Sequence, residues 1–358
     1  MRCSAIDSHY VFFSLYFNLE SPYAKVNIKK KNRAMDYKAI VKDAWVLTTH
    51  NRKLFWYWAF VPALLSIIVG IVYFGYQVMS FSFSPIFNEG ANVEHTSFLK
   101  ELVVWILSLI ENNTSQGILL VTFAAIIFLL DTVYPTFARV ALIQLTARIK
   151  NGQPTSMIDG VTYGALGFLK LFEYHMLIKI FGFVTIVTEA MFILRNMGWD
   201  AFKFLVVPFI LLMIFGLILA LFLTYTDYYI VIDEVGVIKS MGKSMKLVVL
   251  HWRHTILLLI LMVLISARII VNIILVLLVP SLIFLAGGLI ATITLAKIGT
   301  IIGIIVGIVS LFFAAYFTGI LEVFANAVWV LTFLQLTEEG EISAREKGPV
   351  KLGARDAT

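Results

Sequence analysis

Four charged side chains stand inside long apolar runs: Asp131, Lys179, Glu189 and Arg268. A charge within a bilayer is costly, so it marks either a function or a neutralised pair. Asp131 falls about seven residues from one end of its run, and Lys179 about five from the same side of the next. At ~1.5 Å of rise per residue the two share a depth. Glu189 and Arg268 share a second depth, nearer the opposite side. These positions predict two pairs, Asp131–Lys179 and Glu189–Arg268. One use for such pairs is a polar path through a helix bundle, or a coupling-ion site. The other is a brace between packed helices, with Lys179 also able to snorkel to the interface.

Other chemistry has little to work with. The chain has no P-loop, no HExxH, no GxSxG and no paired carboxylates on a soluble face. Its single cysteine, Cys3, cannot close an internal disulfide, and no Cys/His set has metal-ligand spacing. Neither an enzyme nor a cofactor is expected. His50, His175 and His251 stand at helix-to-span junctions, where interfacial positioning is expected rather than metal binding.

The elements that carry these residues follow from composition. The 358 residues are 60% hydrophobic and only 14% charged, against about 25% charged in soluble domains. The apolar runs are continuous and reach the ~20 residues a membrane helix needs. A barrel would alternate instead. The fold class is therefore all-α: a polytopic bundle of six transmembrane helices, with amphipathic interfacial helices on the cytosolic side. The expected spans are Leu54–Val78, Gly117–Ala138, Tyr174–Leu194, Phe204–Tyr225, Thr255–Leu278 and one within Ile298–Leu321. The last helix continues through Leu336 by its apolar spacing. Residues 35–336 form this membrane domain. Residues 337–358 read as a charged, disordered cytosolic tail. Residues 1–34 read as an extension unlike the rest, with Met35 an alternative native start. Ser281–Ile293 fits a re-entrant hairpin, a short outer helix or a seventh span.

Charge chooses six. Cytosolic segments of membrane proteins carry excess Lys and Arg. Segments 35–53, 139–170, 227–254 and the tail carry four basic residues each, and the alternating segments carry one, two and one. Six spans with both termini cytosolic reproduce that alternation, in a cytoplasmic membrane. The net charge of +6 then belongs to a membrane surface and not to nucleic acid.

The basic segments also repeat. Gly160–His175 aligns with Gly236–His251 without gaps, matching Gly, Val, Lys, Leu and His at five positions, and the segment ending at His50 fits more loosely. Each copy reads as an amphipathic helix introducing a membrane hairpin. Lys170, Lys239, Lys243, Lys246 and Arg253 would meet anionic headgroups while the apolar face dips into the acyl boundary.

The stretch TDYYIVIDEVGVIKSMGKSMKLVVLHWRHTI, with AWVLTTHNRKL at Ala44–Leu54 and AVWVLTFLQL at Ala327–Leu336, resembles a broad, functionally uncharacterised group of six-span bacterial inner-membrane proteins. That group is related to the membrane domain attached to glycerophosphodiester phosphodiesterases. The resemblance implies a span ending in a short Val/Ile–acid step at Val231–Glu234, then a helix with a central Ser240 or Ser244, then a span from Thr255. It implies no hydrolysis, because the catalytic domain is absent. Two function classes remain: transport or handling of a lipid or small solute, and a scaffold that organises lipids or partner proteins. Membrane lipids are the expected partners, and a homo-oligomer or a membrane partner protein stays open.

Overall fold

The computed structural model describes residues 36–51, 56–82, 98–264, 267 and 296–346. Residues 1–34, the alternative start at Met35, Arg268, the ambiguous Ser281–Ile293 and the end of the tail lie outside the described residues. Among the described residues all regular structure is helical. The elements are α1 (Tyr37–His50), a π-helical turn (Trp56–Phe60) running into α2 (Val61–Ser82), α3 (Phe98–Asn112), α4 (Thr114–Lys150), α5 (Met157–Lys179), α6 (Phe183–Phe222), α7 (Thr226–Val231), α8 (Val237–Leu250), α9 (Trp252–Leu264) and α10 (Ala296–Glu346).

The chain is membrane-embedded. Trp56–Phe81, Thr114–Lys150, Phe183–Phe222 and Gly307–Glu338 are each long and apolar enough to cross a bilayer. A fifth is added if α8 and α9, bent by 94° at His251, form one broken span.

Two boundaries differ from the sequence expectation. The apolar run expected to span Tyr174–Leu194 breaks at Ile180–Gly182, between α5 and α6. The final helix does not stop at Leu336 but continues to Glu346. The residues from Thr337 to Glu346 include four Glu with Ala344 and Arg345, good helix formers that extend a helix already nucleated.

Within α6, Gly198 takes φ 80° and ψ −177°. Only glycine adopts that conformation readily, and it turns the chain back on itself. The contacts show the reversal. The Phe181 ring packs edge-on against Phe215, and the Tyr174 hydroxyl donates to the Leu223 carbonyl. A Cβ on Gly216 would lie 2.4 Å from the Phe181 carbonyl oxygen. Residues before and after Gly198 therefore run antiparallel. α2 runs alongside the first limb in the same direction, since Tyr73 bonds Thr188 and Gln77 bonds Arg195.

α4 and α5 form a second antiparallel pair, with Arg148 over the Tyr163 ring at one end and Thr136 opposite His175 at the other. Gly164 and Gly167 admit the Phe137 ring and the Val140 side chain. α5 starts cleanly because Ser156 and Asp159 cap each other's backbone N–H groups. Pro135 lies inside α4. It removes one backbone donor there, just before the site described below.

The packed core gathers at one end. Ala138–Ala147 of α4, α7 whole, Leu247 and Val248 of α8, and Val323–Leu336 of α10 supply most of its buried residues, with Ala44 and Leu47 of α1. Lys150 pairs with Asp43 at 3.0 Å, Lys170 donates to the Glu234 carbonyl, and Tyr37 bonds His254. The basic segments 35–53, 139–170 and 227–254 thus meet at this basic end. The opposite parts of α4 and α6, such as Leu119, Phe128, Phe204 and Leu211, are uncovered by protein.

The two aligned segments do not hold equivalent places. Gly160 lies inside α5 against the Trp58 indole, whereas Gly236 is the N-cap of α8. α5 runs on through His175, whereas His251 ends α8.

Candidate functional site

The α7 segment Thr226–Val231 is buried at all six positions. It carries a carboxylate, Asp227, with only 6% of its surface exposed. Such a charge needs partners, and two helices supply them. Arg139 of α4 donates from Nε to Oδ2 at 2.5 Å. His175 of α5 sets Nε2 3.5 Å from Oδ1. The other imidazole nitrogen, Nδ1, faces the Thr136 hydroxyl at 3.5 Å. Burial alone would raise the Asp227 pKa, but the Arg139 charge and the His175 contact outweigh it and hold the carboxyl at about 2. Asp227 is thus an anion at neutral pH.

The backbone around Asp227 is fixed from α8. The Ser244 hydroxyl donates to the Phe222 carbonyl at 2.8 Å and accepts from the Tyr225 N–H at 3.1 Å. It satisfies backbone groups that the end of α6 would otherwise leave open. Gln144 of α4 donates to the Val231 carbonyl and holds the other end of α7. Tyr225, fully buried, packs on Trp329 and Phe333 of α10. The central serine of the α8 motif thus has a definite structural task.

A cavity of about 340 Å³ opens beside this cluster. Arg139, His175, Thr224 and Asp227 give it a polar floor, and Ile178, Phe181, Leu219 and Leu223 give it apolar walls. It sits where the α5–α6 break meets the second limb of α6, with Gly182 and Gly216 in its lining. Thr136 is not part of the lining, so the Thr136–His175–Asp227 series presents no nucleophile to a ligand there. The arrangement can bind and orient a molecule with one polar and one apolar end.

The residues anticipated from sequence fall elsewhere. The register that sets Thr136 opposite His175 also puts Asp131 and Lys179 at one level. No ion pair closes between them; Asp131 is half-buried and Lys179 exposed. Glu189 is exposed on the first limb of α6, and Arg268 lies outside the described residues. Lys243 pairs with Asp233 at 3.5 Å and stands 5.2 Å from the Tyr229 ring centre. Lys239, Lys246 and Arg253 are exposed on α8 and α9. Among the described residues no group of His, Cys, Asp and Glu could hold a metal ion.

From the sequence alone Arg139, His175 and Asp227 read as loop or junction residues. One signal was available: Asp227 in TDYYIV and Arg139 in FARVAL are lone opposite charges in apolar surroundings. Comparison with family models, with curated proteins and with solved structures finds no match for this chain.

Proposed function

We propose that this is a six-span protein of the cytoplasmic membrane, with both termini cytosolic, that binds a lipid or small amphiphilic solute in the α4–α5–α6 cavity. The observation that carries the reading is the cavity itself: a polar floor of Arg139, Asp227 and His175 under apolar walls. Such a lining suits a ligand whose head is polar and whose tail is not.

The six-span topology draws on the reversal at Gly198. The limb Phe183–Met197 with the end of α5, and the limb Trp199–Phe222, would each be one span. The convergence of the basic segments at one end agrees with the positive-inside rule. Membership of the six-span family related to the phosphodiesterase-linked membrane domain belongs to the same proposal.

Native-lipid mass spectrometry of the purified protein tests the ligand. A specific lipid retained by the wild type and lost on substitution of Phe181 by a charged residue is expected; wild type that retains none sinks the reading. Topology is tested with a membrane-impermeant maleimide in a Cys3→Ser background. Asp200→Cys should label from outside intact cells, and Lys246→Cys only after lysis.

The scaffold reading has one observation in its favour. On α8 and α9 the exposed Lys239, Lys246 and Arg253 stand beside uncovered Ile238, Val249, Leu250 and Trp252. That combination suits an interfacial helix anchored in anionic lipid.

A further inference from the structure

We infer that the ligand of this cavity carries a phosphate group, gripped by the terminal guanidinium nitrogens of Arg139. The inference rests on the cavity reading above and adds the chemistry of the head.

Arg139 is held in an unusual division of labour. Its Nε is taken by Asp227 at 2.5 Å. Its two Nη groups donate to no acceptor among the described residues. Its side chain keeps 42% of its surface open, and it lines the cavity. A guanidinium locked at Nε has its fork already aimed, so an anion can bind there with little further ordering. The two parallel N–H donors of such a fork match two oxygens of a phosphate. His175 lines the same floor, but its two ring nitrogens face Asp227 and Thr136, so the grip on an anion falls to Arg139.

The apolar walls lead away from this fork. With water occupying ~30 Å³, about 340 Å³ holds a phosphate head and the first carbons of a chain. A phosphate on an acyl lipid and a soluble phosphate ester share the chemistry that Arg139 reads. One carboxylate of the lining opposes an anion here, Asp227, and it is already spent on Nε and on His175.

The full-length protein, exchanged free of co-purified lipid, is titrated with short-chain phosphatidic acid and with diacylglycerol of the same chains, read by native mass spectrometry. Phosphatidic acid should bind about tenfold tighter or more. Arg139→Gln alone would strand Asp227, so the charge is removed in the pair Arg139→Gln/Asp227→Asn. That double variant should bind phosphatidic acid no better than diacylglycerol, with diacylglycerol binding unchanged. Inorganic phosphate that displaces phosphatidic acid from the wild type points to a soluble ester as the natural source; resistance to it points to a lipid. Equal binding of the two lipids by the wild type overturns the phosphate assignment and leaves the amphiphile cavity standing. Binding of neither overturns both.

Discussion

Arg139 and Arg195 stand at opposite ends of the α4–α6 assembly and are held in opposite ways. Arg139 meets a buried carboxylate and keeps its outer nitrogens open to a cavity. Arg195, beside the Gly198 turn, is buried but finds no carboxylate among the described residues. Its Nη groups donate to the Gln77 carbonyl oxygen and the Tyr76 hydroxyl at 3.2 Å each, and its charge stands over the Tyr76 and Phe192 rings. All of its bonding goes into joining α2 to α6. One arginine is braced so that part of it stays available; the other is consumed by the fold. The difference separates a site from a seam.

The largest expected effect comes from breaking the brace. Asp227→Ala leaves Arg139 without its carboxylate and His175 without its partner. Removing one member of a buried pair costs about 3–5 kcal/mol; with 42% of the Arg139 side chain open, about 2–3 kcal/mol is expected, read as a lowered unfolding temperature in detergent. The same carboxyl gives a pH signature. Its folded pKa of about 2 lies below the ordinary 3.8, so it stabilises the fold at pH above that ordinary value. Its contribution is lost as pH falls from about 4 toward about 2. The wild type should lose stability across that window, and Asp227→Ala should lack this part of the acid limb. An unaltered acid limb would remove Asp227 from the account.

Next comes the wall of the cavity. Gly216→Ala sets a Cβ 2.4 Å from the Phe181 carbonyl oxygen, a backbone atom that cannot swing aside. Overpacking of this kind costs about 1–3 kcal/mol. It should also open the hairpin where the cavity lies, so ligand retention should fall with stability. Gly70, with nothing within 4 Å of its Cβ position, is the control: Gly70→Ala should be neutral or slightly stabilising, through helix propensity.

Ser244→Ala acts on the support rather than on the cluster. It removes a hydroxyl that donates to Phe222 and accepts from Tyr225. About 1–2 kcal/mol is expected from two backbone groups left unpaired in a buried place. Hydrogen exchange should speed at Tyr225 and through α7, while α2 stays as protected as before.

Legibility in the sequence divides along the same line. Runs such as Phe204–Tyr225 announce helices because lipid permits little else, and Gly198 sits inside the link Arg195–Lys203 that the sequence places between two spans. The break at Ile180–Gly182 was not legible. Ile180 and Phe181 are apolar, and the break only makes sense once Gly216 is seen to receive the Phe181 carbonyl. The site was missed for a related reason. Depth in one dimension matches Asp131 with Lys179, but an ion pair also needs the right azimuth around each helix. Asp227, Arg139 and His175 are far apart in the chain, and only the folding of α7 between α4 and α5 makes them neighbours. Ser244 was visible as a motif residue, but its task at the end of α6 was not.

The smallest effect should separate the two arginines most cleanly. Arg195→Gln keeps a hydrogen-bonding side chain and removes the charge. Its partners are neutral, so no buried counter-ion is stranded, and what is lost is the stacking on Tyr76 and Phe192 with part of the bonding to Gln77. Cation–π contacts contribute about 0.5–2 kcal/mol each when buried, and Gln recovers some of the hydrogen bonding, so a loss of about 1 kcal/mol is expected. Retention of a phosphate-bearing lipid should not change, because the α4–α6 cavity contains none of these groups. Arg139→Gln should do the reverse in proportion: a larger loss of stability, from Asp227 left unpaired, and a loss of ligand preference. If Arg195→Gln instead abolished lipid retention while the unfolding temperature held, the end of the molecule that carries Gly198 would be a site too, and the contrast drawn between the arginines would fail.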